Sequence, residues 1–351
     1  MLRPLSSLSL SPGVRLKLLR AGFQFTAELQ SFSPEELAEE AGVSQQEAQE
    51  VLEALGSSGG GAPPLTALEL LQKEEQSRSI VTFCSRLDER LHGGIPVGKL
   101  TEVCGAPGTG KTQLCLQAAV DVQVPQCFGG LGGQAVVMDT EGGVLLQRLD
   151  DMATAAVRHC SLLASDEEQR VAMATFTVRS VLENVFLVRC HDYTELLAEV
   201  RLLPGFLRER PGVRLVVVDS VAFPFRLHLD DPPHRTRLLQ GLAQQLVAVA
   251  TGHDVAVVVT NHMTTRLGPG GSRLVPALGD SWGHAPNIRL LLKWAGPRRA
   301  AAIFKSPSHL SASVHFQITS DGFRDAEEEP DDQPQSKRPR GHAHQSASGA
   351  P

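Results

Sequence analysis

The sequence contains no apolar run approaching the ~18 residues that a membrane-crossing helix needs, which argues against a helical membrane protein. Residues 1–20 hold no continuous apolar core followed by a cleavage site, so no secretory leader is expected. The six cysteines, at 84, 104, 115, 127, 160 and 190, form no C-x-x-C pair and no Cys/His cluster at zinc spacing. A disulfide framework and a structural zinc site are therefore not expected. The chain reads as reduced and intracellular, with Cys104 and Cys115 as packing residues. Basic excess is lacking too: the formal net charge is −6, so any nucleic-acid surface must be local.

What is present is a globular composition, 42% hydrophobic and 21% charged, over 351 residues, enough for one large domain and a smaller one. The large one is organised around Gly105-Ala106-Pro107-Gly108-Thr109-Gly110-Lys111-Thr112, a phosphate-binding loop at every fixed position of G-x-x-x-x-G-K-[ST]. A buried strand, Thr101–Cys104, precedes it, and a helix, Gln113–Val122, follows. In that context backbone N–H groups and the positive helix end face phosphate oxygens. Lys111 would reach the β- and γ-phosphates, and the Thr112 hydroxyl would ligate Mg²⁺.

Residues 11–56 read as short helices. Ser11-Pro12 and Ser33-Pro34-Glu35-Glu36 are helix starts, Gly42 is a stop, and Ser44-Gln45-Gln46-Glu47 is a capping box. These suit a helix–hairpin–helix type of domain, which binds DNA backbones in some proteins and serves as a protein-binding or spacer module in others. Residues 1–27 lack acids and carry Arg3, Arg15, Lys17 and Arg20, which fits either a mitochondrial transit segment or simply the first helix of this domain. Residues 56–64 are a Gly/Ser linker with a stiffer Ala-Pro-Pro end.

Beyond the loop, apolar runs alternate with helical stretches. Strands are expected at Ile80–Phe83, Ala135–Asp139, Val185–Arg189, Leu215–Asp219 and Val255–Thr260. Helices are expected over Gly142–Arg158, Tyr193–Arg201 and Arg235–Thr251. That pattern predicts a parallel sheet covered on both faces. Segments near Ile288–Trp294, Ala301–Phe304 and Val314–Ile318 read as antiparallel strands closing one edge. From 326 on, acidic and then Gly/His/Ala/Ser-rich sequence predicts a disordered tail, in which Lys337-Arg338-Pro339-Arg340 is either a nuclear localisation signal or a solvated basic patch.

Asp219 ends an apolar strand as a Walker B acid does, and would hold Mg²⁺ opposite Thr112. Asp139-Thr140-Glu141-Gly142 ends the strand expected beside the loop strand. Glu141, or alternatively Asp139, is placed to activate an attacking water. His262, after Thr260-Asn261, stands where a polar side chain can sense the γ-phosphate, or is an ordinary loop-start histidine.

These motifs and their order resemble the RecA-like strand-exchange recombinases of eukaryotes, and within that family its C-type paralogue branch. The segments that carry the resemblance are Gly105–Gly130, Asp139–Gly142, Leu215–Phe225, Thr260-Asn261 and Ser281–Ala285, within a match over roughly residues 10–325. The resemblance implies an α/β fold: a RecA-like P-loop ATPase core with a mostly parallel sheet at 80–325. It adds a helical domain at 1–56, a linker with an assembly segment at 57–79 and a tail at 326–351. It implies ATP and Mg²⁺ as cofactors, and single-stranded or branched DNA, other recombinase paralogues and the main strand-exchange recombinase as partners. The implied location is the nucleus, with the cytoplasm and mitochondrion as further sites.

Carried over by position, Lys111 and Thr112 bind phosphate and Mg²⁺, Glu141 is the catalytic glutamate, Asp219 the Walker B acid, and Arg148 the arginine that stacks on adenine. Two DNA-binding loops fall at about 226–236, with Arg226, His228, His234 and Arg235, and 264–281, with Arg266 and Arg273. Neither holds an aromatic residue for base stacking. The chain departs from the family in two places. The sensor position, commonly Gln, is His262. The Phe-x-x-Ala assembly motif appears as Pro64-Leu65-Thr66-Ala67, keeping Ala67 and losing the Phe that would anchor a neighbour. Three functions follow for comparison: a DNA-dependent ATPase subunit of a heteromeric complex, a nucleotide-switched scaffold with little turnover, and a metabolic phosphotransferase. The last would need a substrate lid that the sequence does not provide.

Overall fold

The computed structural model describes residues 5, 8, 10–29, 32–58, 66–75, 78–227, 232–268, 271–307 and 312–327. The linker at 59–65 (Pro64 and Leu65 included), His228 and the tail with its Lys337–Arg340 patch lie outside the described residues. The chain divides between Gln76 and Ser77 into two compact units.

The first unit holds α1 (Pro12–Arg20), α2 (Pro34–Ala41), α3 (Gln45–Ser58) and α4 (Ala67–Glu75). Its helix ends are where capping chemistry puts them. Ser11 accepts from Val14 N–H, Ser33 and Glu36 form a reciprocal capping box, and Gly42 closes α2 in the left-handed conformation. Ser44 and Glu47 form a second box, and Thr66 and Glu69 a third ahead of α4. Leu18, Leu37, Ala48 and Val51 are fully buried in one apolar cluster. Such burial contributes roughly 1.5–3 kcal/mol per large side chain.

The second unit begins with β1 (Ser79–Ile80), α5 (Ser85–Arg90), β2 (Ile95–Pro96), β3 (Leu100–Gly105), α6 (Lys111–Asp121), β4 (Gln134–Asp139), α7 (Leu146–Leu163), α8 (Glu167–Met173), α9 (Val178–Glu183) and β5 (Val185–Arg189). It continues with α10 (Tyr193–Glu209), β6 (Val213–Asp219), α11 (Ala222–Leu227), α12 (Pro232–His253), β7 (Ala256–Asn261), β8 (Met263–Gly268), β9 (Gly271–Pro276), α13 (Gly279–Gly283), β10 (Ile288–Ala295), β11 (Arg298–Lys305), β12 (Ala312–Thr319) and β13 (Gly322–Asp325). Nine strands form one sheet in the order β13-β12-β11-β10-β3-β7-β6-β4-β5. From β10 to β5 every pairing is parallel. Alternate residues of the inner strands feed two separate cores. Ala135, Val137, Leu215 and Val217 pack on the face of α6 and α7, while Val136, Met138, Val216 and Val218 pack on the face of α10 and α12. This is the RecA-like α/β core.

Several expectations need correction. The strand at 288–294 is antiparallel on one side only: β10 pairs antiparallel with β11 but runs parallel to β3, so it joins the parallel sheet to the antiparallel edge. β4 does not neighbour β3, since β7 and β6 stand between them. The helix after β4 starts at Leu146 rather than Gly142, because the Asp139 carboxylate takes the N–H groups of 141–144 and holds them as a turn. The 80–83 strand stops at Ile80: Thr82 N–H turns to Asp88 and Phe83 adopts φ 53°. α10 runs eight residues past Arg201, through Pro204, because Leu203 and Leu207 are buried on its inner face.

Candidate nucleotide site

Parallel α/β sheets bind ligands at the carboxyl ends of their strands. Here β3, β7, β6 and β4 end at Gly105, Asn261, Asp219 and Asp139, so those ends form one rim. The loop 105–112 crosses it. A Cβ on Gly105 would stand 2.5 Å from Thr109 Oγ1 and 2.7 Å from the Leu292 carbonyl oxygen, so only glycine fits there. Gly110 has φ 107°, and a Cβ on it would stand 2.5 Å from Ile318 Cδ1. Thr109 Oγ1 donates to Ala106 O at 2.8 Å and pins the curl, while Pro107 and Gly108 form its exposed crest. Lys111 opens α6 and folds its Nζ back onto Gly105 O and Ala106 O, at 3.0 and 3.2 Å. Burial holds its pKa below the usual lysine value.

Thr112 Oγ1 donates to Asp219 Oδ2 at 2.6 Å, and Thr260 Oγ1 donates to the other oxygen, Asp219 Oδ1. Burial raises the Asp219 pKa against the pull of these two hydroxyls. These residues fit a magnesium nucleotide: a crowded glycine curl at a helix N-terminus, an ammonium beside it, and a hydroxyl paired with a carboxylate. Lys111 and the loop N–H groups would hold the phosphates, and Thr112 with Asp219 the Mg²⁺. When bound, Mg²⁺ would supply charge neutralisation at the phosphates.

Glu141 and Asp139 separate cleanly. Asp139 is buried and its oxygens are taken up by the 141–144 backbone, so it shapes the turn. Glu141 is exposed at the rim and meets His262, with Nε2 to Oε1 2.7 Å. That hydrogen bond is the main reason its pKa lies below the usual carboxylate value. Arg148 is half-buried beside the first turn of α6: Nε donates to Gln113 Oε1 at 2.7 Å, Nη1 and Nη2 to Ser320 O and Thr319 O. The guanidinium plane is thus fixed at its edges.

The basic residues behave differently from one another. Arg226, in the last turn of α11, points its Nη1 at His262 Nδ1, 3.4 Å away. Arg235 donates to Ala277 O at 3.4 Å, and Arg266 pairs with Asp280 at 3.0 Å. The expected loop 264–281 is largely a hairpin of β8 and β9, with Arg273 exposed and directly across from Arg266. Ala67 is the exposed first residue of α4.

Sequence reasoning missed Thr260 as a partner of Asp219, and it missed Glu102. Glu102, wholly buried in β3, accepts from Asn261 Nδ2 at 2.7 Å, Trp282 Nε1 at 2.9 Å and Arg289 Nε. A charged residue inside an otherwise apolar strand was the signal available for it. Among the described residues no helix is long and apolar enough to cross a membrane, and no group of three His, Cys, Asp or Glu side chains is placed to hold a metal by itself.

Comparison with known proteins agrees with this geometry. The Rad51 family model matches residues 73–326. The "DNA repair protein RAD51 homolog 3" of Cricetulus griseus is 49% identical over 341 residues, covering 93% of each chain. The protein of the same name from Dictyostelium discoideum is 41% identical over 266 residues, covering 74% of this chain and 69% of its own. A nucleotide-shaped rim on a RecA-like sheet and a family match across the whole of that sheet lead to one conclusion: the chain belongs to the Rad51 family.

Proposed function

We propose that this chain is an ATP-dependent, DNA-binding recombinase paralogue of homologous recombination and of double-strand-break and crosslink repair. It acts as a subunit of heteromeric paralogue complexes that assist the main strand-exchange recombinase. The observation that carries this reading is the Thr112–Asp219 pair beneath the loop, with Lys111 and Glu141 at the same rim. In it Lys111 and the loop amides bind the phosphates of ATP, Thr112 and Asp219 hold Mg²⁺, Arg148 stacks on adenine, and Glu141 activates water. Arg226, Arg235, Arg266 and Arg273 contact DNA phosphates. The ties of Arg226, Arg235 and Arg266 to His262, Ala277 and Asp280 are ones that a phosphodiester would displace. Ala67 without its Phe favours assembly with other paralogues over a filament of this chain alone. Its similarity to proteins named for DNA repair supports a role in repair, and with it a nuclear location.

A specific observation favours a second reading, a nucleotide-gated scaffold with little turnover: one oxygen of Glu141 is already engaged by His262. Measuring ATP hydrolysis by the purified chain, with and without single-stranded DNA, decides between them. Turnover that DNA stimulates and Glu141→Gln abolishes supports the first reading. Tight ATP binding with turnover equal in wild type and Glu141→Gln overturns it in favour of the second.

A further inference from the structure

The β4–β6 ladder ends at the pair Asp139 and Asp219. Residues 219–221 remain buried beyond it, so their backbone groups need partners that the ladder no longer supplies. A threonine from each neighbouring strand end provides them. On the β7 side, the Thr260 carbonyl oxygen accepts the Val221 N–H at 3.1 Å, and the Thr260 hydroxyl donates to Asp219 Oδ1. On the β4 side, Thr140 does more. Its N–H donates to Asp219 O at 2.9 Å, while its Oγ1 accepts the Ser220 N–H at 2.8 Å and donates to Ser220 O at 2.8 Å. One hydroxyl can do both, having a single proton and free lone pairs. A valine would match its shape and make neither bond, leaving the buried N–H and C=O of Ser220 unpaired.

Thr140 directly precedes Glu141, and Ser220 directly follows Asp219. The clasp therefore ties the chain at the rim carboxylate to the chain at the carboxylate that pairs with Thr112. Ser220 Oγ also accepts the Phe223 N–H at 3.1 Å, so the bend into α11 is held from its other side. An aspartate side chain is short, and a shift of its backbone passes directly to its oxygens. Asp219 Oδ2 has to stay within reach of Thr112 Oγ1, now 2.6 Å away, for the two to share one cation. We infer that Thr140 is a positioning residue: its hydroxyl, by gripping Ser220, holds the Asp219 carboxylate in register with Thr112 for a divalent cation. The effect on Mg²⁺ rests on the magnesium-nucleotide reading above; the clasp on Ser220 does not.

The experiment uses the full chain as wild type, Thr140→Val and Thr140→Ser, with Asp219→Asn as the control for the metal itself. A fluorescent ATP analogue is titrated with and without Mg²⁺, and amide exchange at Ser220 is followed without nucleotide. Without Mg²⁺ both Thr140 variants should bind the analogue as wild type does, since Lys111 and the loop amides are untouched. With Mg²⁺, Thr140→Val should bind about tenfold more weakly, the scale of losing a group that orients a metal ligand. Thr140→Ser, which keeps the hydroxyl, should match wild type. Exchange at Ser220 should quicken in Thr140→Val alone. If Thr140→Val does not fold, Thr140→Ala removes the hydroxyl without pressing a methyl on the Ser220 peptide, and is judged in the same way. Equal weakening with and without Mg²⁺ overturns the inference, because it marks a merely structural threonine. A gain from Mg²⁺ that Asp219→Asn loses and Thr140→Val keeps overturns it too, and leaves the magnesium reading standing. A gain that Asp219→Asn also keeps sinks the magnesium reading, and this inference with it.

Discussion

Thr112 Oγ1 and Asp219 Oδ2 stand 2.6 Å apart although 107 residues separate them in the chain. The first helical turn after the loop and the end of β6 therefore share one buried carboxylate, whose second oxygen goes to Thr260. Asp219→Asn keeps the shape and removes the charge. Burial raises the Asp219 pKa, so above the ordinary carboxylate range its charge costs folding stability. The variant should bind magnesium nucleotide about tenfold or more weakly. Its melting temperature without nucleotide should hold or rise. Titration with a fluorescent ATP analogue, with and without Mg²⁺, and thermal melts test both halves. An unchanged Mg²⁺ dependence would remove Asp219 from the metal site.

Lys111→Ala should separate fold from function. Nζ makes only two hydrogen bonds, both to loop carbonyls, so the stability loss is expected near 1 kcal/mol. Loss of its charge at the phosphates should weaken ATP binding by about one to two orders of magnitude, the scale of a charge-assisted contact. In cells that lack the protein, the variant at matched expression should fail to restore crosslink resistance. Restoration equal to wild type would show that nucleotide binding is dispensable.

The parts of the site that could be read in the sequence are those set by short-range backbone chemistry. The glycine curl, Lys111 and Thr112 lie within eight consecutive residues, and Asp219 follows an uninterrupted apolar run. The helix start at Ser33 and the capping box at Ser44 were legible for the same reason. Strand order was not: β4 looks like a neighbour of β3 in sequence, yet β6 and β7 come between. Contacts that depend on that order were hidden with it. Thr260 reaches Asp219 because β7 lies beside β6, and His262 reaches Glu141 from the end of β7 to the turn after β4. The pairing of β10 was hidden too, since nothing in an apolar run tells that one neighbour, β11, is antiparallel and the other, β3, parallel.

Glu102 and Arg289 form a buried pair on neighbouring parallel strands, extended by Asn261 and Trp282. Removing one charge leaves the other in the core. Glu102→Gln should cost about 3–5 kcal/mol in urea unfolding, because the Arg289 guanidinium, 12% exposed, loses its counter-charge. Replacing the pair together, as Glu102→Gln with Arg289→Leu, should recover more than half of that loss. A single variant that costs less than about 1 kcal/mol would mean that water solvates the arginine in its place. Since Asn261 directly precedes His262, the same variant should also loosen the base of the β8–β9 hairpin, read as faster amide exchange at Ala277.

Asp88 supplies a pH dependence away from the nucleotide site. Its carboxylate accepts Thr82 N–H at 3.0 Å and Thr82 Oγ1 at 2.8 Å, but burial dominates and pushes its pKa up to about 6, with Asp325 adding to the rise. Between about pH 4 and 6 the folded protein keeps a proton that the unfolded chain has released. Stability contributed by this group is therefore present at low pH and lost as pH rises through that window. A shift of about two units corresponds to about 3 kcal/mol at most, and partial exposure reduces the expected loss to about 1–2 kcal/mol. Asp88→Asn keeps an acceptor for Thr82 and cannot ionise, so its stability should be flat across the window. Urea midpoints for both proteins at pH 4, 5, 6 and 7 isolate Asp88 together with its coupling to Asp325 and Asp121, because the groups it does not touch cancel in the difference. The variant should gain on wild type as pH rises and level off above pH 7. A difference that does not change with pH would mean that Asp88 ionises normally in the folded chain, with the Thr82 hydrogen bonds outweighing its burial.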